Sequence, residues 1–526
     1  MNSNSTSAPA HDRRQFLNTL GLAIPAAVLT SLPALTYAQS AATPGRPYRT
    51  STDSETNPIF MSAVKMAQMI REKEISSVEL VEAHIQRIQE VDLKINAVVF
   101  TCFERAREEA QAADSALARG TIVGPLHGVP FAIKDSIDTA GVVTTGGTVG
   151  RLTFVPEKDA TAIARLREAG AILLGKTNTP EWTLAGGAIP GIGTTANIIY
   201  GTTRNPYNIE RSTAGSSGGA GAIVAAGGAA FDIGTDWGGS VRGPANLCGI
   251  VGHKPSFGRI PRTGHIVDYG GIHDSWQQFG PMTRKVEDCV LLMELMSGSD
   301  YIDAAIPPMP WSDPDDVDVT SLRVAWYTDA PSGTVSSETQ AAVEETAKAF
   351  SDAGCEVTHD YPKDLIEELT TIREQISPEV SWGLARLAER WGSKTVSPTV
   401  LARAERAGVT TVQLMELLEQ QDHNRSRVLQ WIQSYDLIIN PVFGNTAGMI
   451  NAGLTDDGGT VNTRGANFNG VHNTTGYPAT AVPIRLSDEG LPIGLQLIGQ
   501  PWRDDVTLAA SAFVESTFGG WRKPPI

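Results

Sequence analysis

Cysteine is scarce in this 526-residue sequence. Only Cys102, Cys248, Cys289 and Cys355 occur, with no C-x-x-C pair and no histidine cluster beside them. A disulfide framework or a metal site is not expected, and isolated buried thiols are. Positive charge is also short: 42 Lys and Arg against 58 Asp and Glu leave a formal net charge of −16. That balance argues against nucleic acid or an anionic membrane surface as a partner. Beyond the N-terminal region no apolar run is long enough to span a bilayer, so no stable membrane anchor is expected. A glycine-rich stretch is present, but it lacks the G-K-[ST] ending of a phosphate-binding loop. No internal repeat is visible.

What is present reads as a globular chain, about 41% apolar and 19% charged, with 52 glycines. The N-terminus stands apart. Arg13-Arg14 precedes a mildly apolar run from Leu17 to Leu35 that ends in Thr36-Tyr37-Ala38, and no charge occurs from Phe16 through Gly45. A twin-arginine pair, an apolar core and a small-residue end describe an export signal over residues 1–38, with a periplasmic or secreted destination. Residues 39–57 read as a linker, and 58–526 as one large domain.

Within that domain, helical spacing begins at Ser62, with Val64, Ala67 and Ile70 on one face. Ser76-Ser77-Val78-Glu79 fits a capping box opening a helix to about Val91. Another helix covers Phe103 to Ala118. Gly128 to Lys134 switches to a period of two, which predicts a strand with one apolar face. Thr161–Ala169 reads as helix and Ala171–Leu174 as strand. Further strands are expected at Leu322–Trp326, Leu437–Asn440 and Gly490–Ile498, and helices at Ser337–Ala353 and Thr411–Ser434. Residues 301–320 read as a surface loop. The alternation predicts an α/β class: a single α/β/α layered domain whose mixed, twisted central sheet is covered by helices.

Three motifs compete for the chemistry. Ser62-Ala63-Val64-Lys65 matches the S-x-x-K of penicillin-recognising enzymes, but no K-T-G follows and Ser62 is placed to cap a helix. Gly215-Ser216-Ser217-Gly218-Gly219 matches G-x-S-x-G, which would make Ser217 the nucleophile of a Ser-His-Asp esterase with a histidine such as His472. The third reading takes the stretch whole. Ten glycines fall in the 29 residues from Gly215 to Gly243, with Ser216 and Ser240 24 positions apart. Upstream, Gly128-Val129-Pro130-Phe131-Ala132-Ile133-Lys134-Asp135 ends a strand in a lysine.

These residues resemble the signature of the amidase signature family, the serine hydrolases with a Ser-cisSer-Lys triad. The likeness continues through Leu247-Cys248-Gly249-Ile250-Val251-Gly252-His253-Lys254-Pro255-Ser256 and Phe279-Gly280-Pro281-Met282-Thr283-Arg284. It extends to Thr475-Gly476-Tyr477-Pro478-Ala479 and Gly490 through Gln496. It spans about residues 60 to 510, loosely between 300 and 430. The resemblance implies that Ser240 is the nucleophile, Ser216 the bridging serine after a cis Gly215–Ser216 peptide, and Lys134 the base. A neutral lysine can serve if burial lowers its pKa from about 10.4. Trp237, Gly238, Gly239 and Ser240 would offer backbone N–H groups to the oxyanion. Gly215 would permit close backbone approach, Ser217 would cap the following helix, Asp236 would fix the loop and Arg242 would brace it.

The implied activity is hydrolysis of a carboxylic amide through an acyl-enzyme, with no metal or organic cofactor. Relatives that act on esters, carbamates or oligoamides keep those substrates as alternatives. Export argues against the family's tRNA-dependent amidotransferase role. The expected partner is a small-molecule amide, and a homodimer is left open. Two departures from the family pattern stand out: Ala214 where glycine is usual, and Trp237 where a small or β-branched residue is. Gly186 to Thr195 reads as an insertion.

Overall fold

The computed structural model describes residues 48–184, 195–267, 274–330, 332–376, 379–397, 400–401, 408–450 and 465–526. They belong to one compact unit, Tyr48–Ile526. The signal expected at 1–38 lies outside them, as does the insertion apart from Thr195. The expected linker is anchored from Tyr48 onward. Arg49 pairs with Asp313 at 2.8 Å, Ser51 Oγ donates to Glu287 at 2.6 Å and Lys65 Nζ donates to the Asp53 carbonyl at 2.8 Å.

Thirteen strands form along the described chain. β1 (Val98–Thr101), β2 (Pro130–Lys134) and β3 (Ile172–Thr177) make one sheet, in the order β1-β3-β2. β2 runs parallel to β3, and β1 antiparallel. β4 (Ala196–Asn197) and β5 (Gly201–Thr202) form a short hairpin. The main sheet holds β6 (Phe231–Asp236), β7 (Val251–Lys254), β8 (Gln278–Thr283), β9 (Arg323–Trp326), β10 (Glu356–His359), β11 (Leu437–Pro441), β12 (Ala479–Leu486) and β13 (Pro492–Gly499). Its order is β10-β9-β11-β13-β12-β7-β8-β6, parallel over the first three and antiparallel beyond. The sheet is therefore mixed, as the α/β expectation required.

The two sheets meet where β2 approaches β6. The Ala230 N–H donates to the Pro130 carbonyl at 3.1 Å, Thr177 Oγ1 donates to Asp232 at 2.9 Å, and Phe131 stacks on Phe231 at 5.2 Å between centroids. This seam puts Lys134, at the end of β2, beside the end of β6. Every residue of β2, β3 and β6 is buried. The single apolar face expected for β2 is thus corrected: both faces are covered, so its alternation does not sort inside from outside.

Helices supply the covering layers. In chain order they are α1 (Ala63–Arg71), α2 (Ser77–Ile95), α3 (Phe103–Ala118), α4 (Thr161–Glu168), α5 (Gly218–Ala225), α6 (Arg242–Leu247) and α7 (Val286–Met296). They continue with α8 (Ser337–Asp352), α9 (Lys363–Ile376), α10 (Glu379–Arg390), α11 (Thr411–Ile432), α12 (Asn469–Thr474) and α13 (Asp504–Phe518). α2 starts on the expected capping box: Ser76 Oγ accepts from the Glu79 N–H at 3.1 Å and Glu79 accepts from the Ser76 N–H at 2.9 Å. Ser62 Oγ accepts from the Lys65 N–H at 3.0 Å, so the S-x-x-K match is a helix cap. Among the described residues no helix is long and apolar enough to cross a membrane, and no cluster of His, Cys, Asp and Glu could hold a metal ion.

Candidate active site

β2 ends on Lys134, whose side chain is fully buried. Its Nζ has three hydroxyl neighbours: Ser216 Oγ at 2.6 Å, Thr235 Oγ1 at 2.7 Å and Ser217 Oγ at 2.9 Å. Among the described residues it forms no ion pair. Burial pushes its ammonium down to about 7, against the weaker pull of Asp236 and Asp232. Such a lysine is part neutral at ordinary pH and can take a proton.

The two serines arrive on the turn before α5, and the Gly215–Ser216 peptide is cis. α5 follows with Gly218, Gly219 and Gly221 packed against backbone and short side chains. A Cβ on Gly219 would lie 2.4 Å from the Asn178 nitrogen, which explains glycine there. Thr195, at the edge of the expected insertion, braces the turn. It donates to the Ala214 carbonyl at 2.8 Å and accepts from the Gly218 N–H at 3.1 Å. Ser217 occupies the N-cap position but makes no side-chain cap bond. The expected cap is corrected: its Oγ is held by Lys134, by the Thr235 N–H at 3.3 Å and by the Thr235 carbonyl at 3.4 Å.

β6 runs straight into the loop Trp237-Gly238-Gly239-Ser240. Asp236 organises that loop. It accepts from the Gly239 N–H at 2.7 Å, the Val241 N–H at 3.1 Å and Arg242 Nε at 3.1 Å. Burial alone would raise its pKa, but Arg242 and Asn473 hold it well below the usual carboxylate range. Arg242 is itself fully buried, and it bonds Gln496 at 2.9 Å and Asn473 at 2.6 Å. Gly239 has φ +109, and a Cβ there would strike the Asn469 side chain at 2.7 Å. Ser240 is half-buried, and its carbonyl accepts from the Ser217 N–H at 3.2 Å, which joins the two serine turns.

The four N–H groups expected to face an oxyanion are not equivalent. The Gly239 N–H is donated to Asp236, which corrects its place in that set. The N–H groups of Gly238 and Ser240 have no partner among the described residues. His472, the histidine of the esterase reading, is buried and neutral, since burial lowers its pKa well below the usual range. No histidine is among the hydrogen-bond partners of Ser217.

A family model described as Amidase matches residues 79–508. The chain belongs to the amidase family. A glutamyl-tRNA(Gln) amidotransferase subunit of Moorella thermoacetica is 33% identical over 501 residues, 89% of this chain and 99% of that one. Among solved structures, 6-aminohexanoate cyclic dimer hydrolase complexed with substrate matches at TM-score 0.77 and 30% identity, over 89% of this chain and 99% of that chain. The peptide amidase PAM, in complex with the inhibitor chymostatin, matches at TM-score 0.76 and 25% identity over the same shares. This membership supports an amide-hydrolysing enzyme with the mixed-sheet α/β fold.

Within this amidase-family chain the departures have a physical reading. Ala214 sits at φ 57, in the left-handed region where glycine is favoured. Trp237 packs against Trp276 at 5.3 Å, and the Arg373 guanidinium lies over both rings, 4.5 and 4.1 Å from their centroids. Thr235, Thr195, Asn473, Gln496, Trp276 and Arg373 are the site residues that motif reading missed. Gln496 had a signal, being the one polar side chain of Pro492-Ile-Gly-Leu-Gln-Leu-Ile, a strand buried throughout.

Proposed function

We propose that this enzyme cleaves small carboxylic amides through an acyl-enzyme on Ser240, with Ser216 as proton relay and Lys134 as base. The observation that carries this reading is the Lys134 ammonium, buried with no carboxylate partner among the described residues and 2.6 Å from Ser216 Oγ. Ser240 Oγ attacks the amide carbon. Its proton passes to Ser216 Oγ as the Ser216 proton passes to neutral Lys134 Nζ. The C–N bond then breaks, and the leaving nitrogen takes a proton from Ser216, which is refilled from Lys134. Water repeats the relay on the ester and frees the acid. The unengaged Gly238 and Ser240 N–H groups are the donors for the oxyanion.

The test is covalent labelling with a fluorophosphonate probe and mapping of the modified residue. Labelling at Ser240 that is lost in Lys134→Ala supports the relay. Labelling at Ser217 returns the Ser-His-Asp esterase. In a folded sample, labelling of neither serine removes the hydrolase reading. Labelled enzyme then justifies a panel of amides, esters, carbamates and oligoamides.

Export is part of the same proposal: Arg13-Arg14, the uncharged run and Thr36-Tyr37-Ala38 support a cleaved twin-arginine leader and a periplasmic or secreted enzyme. The 33% identity to one component of an amidotransferase favours a second reading, a member of a cytosolic complex. Cell fractionation and N-terminal sequencing decide between them. A mature chain starting near Gln39 outside the cytosol supports export. An intact cytosolic chain that purifies with other proteins of such a complex supports the second.

A further inference from the structure

In the loop that carries Ser240 the carbonyls of Trp237, Gly239 and Ser240 are engaged, while the N–H groups of Gly238 and Ser240 have no partner among the described residues. The Gly239 carbonyl accepts from the Gly243 N–H at 2.7 Å, and the Ser240 carbonyl accepts from the Ser217 N–H at 3.2 Å. Asp236 takes the N–H groups of Gly239 and Val241. The Trp237 carbonyl accepts from Arg373 Nη2 at 2.9 Å. Arg373 comes from α9, in the stretch where resemblance to the family is loosest.

A trans peptide points its carbonyl and the following N–H in opposite directions. Whatever holds the Trp237 carbonyl therefore aims the Gly238 N–H. Arg373 is well fixed for that task. Its guanidinium lies over the indoles of both Trp237 and Trp276, which pack against each other, and its Nη1 donates to Thr474 Oγ1 at 3.1 Å. A Cβ on Gly238 would lie 3.0 Å from Nη2, a tight contact that would shift the guanidinium against this peptide by a few tenths of an ångström. Among the described residues Arg373 has no carboxylate partner, so its charge is not spent on an ion pair. A cation on a carbonyl polarises the peptide and strengthens the N–H on its other end as a donor.

Resting on the hydrolase reading above, we propose that Arg373 is a positioning residue for the oxyanion site. Through the Trp237 carbonyl it sets the direction and strength of the Gly238 N–H. Lysine is a poor substitute, because it lacks the planar fork that bonds the Trp237 carbonyl and Thr474 from one rigid group over the two indoles.

The experiment measures the rate of fluorophosphonate labelling at Ser240, resolved into maximal rate and probe affinity, with thermal unfolding alongside. In Arg373→Met the maximal rate is expected to fall by about 10²-fold, the scale of losing one oxyanion donor, with affinity unchanged. In Arg373→Ala, guanidinium ion is expected to restore most of the rate by refilling the space beside the two indoles. Arg373→Lys is expected to fall between Met and wild type. A wild-type rate in Arg373→Met overturns the proposal. A rate loss that guanidinium does not rescue, accompanied by a lowered Tm, also overturns it, since that marks a structural role. Failure of wild type to label at Ser240 is a different result: it removes the hydrolase reading, and this proposal with it.

Discussion

Lys134 and Lys176 lie on adjacent parallel strands, and both are fully buried. In register Lys176 pairs with Ile133 and Lys134 with Thr177, so the two ammoniums leave opposite faces of the sheet. Burial lowers both, Lys134 to about 7 and Lys176 to about 8. Their partners differ. Lys176 Nζ donates to the Ile137 carbonyl, Thr139 Oγ1 at 2.9 Å and Thr144 Oγ1 at 3.2 Å, tying down the loop after β2. One of these partners is a carbonyl, which has no proton to exchange, and neither threonine belongs to the Ser216–Ser240 turns. Lys134 meets hydroxyls alone, and two of them, Ser216 and Ser217, form the serine pair joined to half-buried Ser240. A depressed pKa is thus common to both lysines, and what separates the proposed base from a tether is whether its neighbours can pass a proton on to Ser240.

The comparison breaks most visibly under paired substitution. Lys134→Met is expected to slow Ser240 labelling by about 10³-fold or more, because the base is lost while the fold remains. Lys176→Met is expected to keep labelling within a few-fold, but to cost about 2 kcal/mol of unfolding free energy from stranded acceptors. Chemical denaturation and labelling rates on both variants check this. Equal labelling losses would erase the distinction.

Titration gives the next effect. The relay needs neutral Lys134, so labelling is expected to rise with pH through about 7 and then level off. Stability has its own sign. Both lysines are lowered on folding from 10.5, so between about 7 and 10.5 the unfolded chain binds more protons than the folded one. Stability from these groups therefore increases as pH rises across that window, and the penalty is complete below it. Lys134→Met should flatten this slope relative to wild type between pH 7 and 10.5, measured by denaturation at several pH values. Lys176→Met should flatten it only above about 8 and leave the labelling profile in place.

Much of this arrangement is legible in the residues. The serine spacing, the glycines and the strand-end lysine mark the proposed reacting groups because close packing restricts those positions to few residue types. The α2 capping box and the Ser62 cap are readable because caps are local. β6, β7 and β8 are not legible as strands. β6 lies inside the glycine-rich segment, and all three are buried on both faces, so none shows the alternation that marks a half-exposed strand. Thr235 and Arg373 are invisible for another reason. Each acquires its role from a partner about 100 or more positions away, Lys134 for one and the Trp237 carbonyl for the other. No local pattern encodes such a meeting.

The smallest expected effect separates the two serines. Ser217 Oγ touches Lys134 at 2.9 Å and the Thr235 N–H at 3.3 Å, and the residue is fully buried, whereas Ser216 is 4% exposed. Ser217→Ala removes one of three hydroxyls around Nζ and strands the Thr235 N–H, at a cost of about 1–2 kcal/mol in stability. Lys134 keeps Ser216 and Thr235, so the relay persists and labelling at Ser240 is expected to fall only several-fold. Under the esterase reading the same substitution deletes the nucleophile and abolishes labelling. One variant, read by mapping the labelled residue, therefore divides a serine that steadies the base from a serine that reacts.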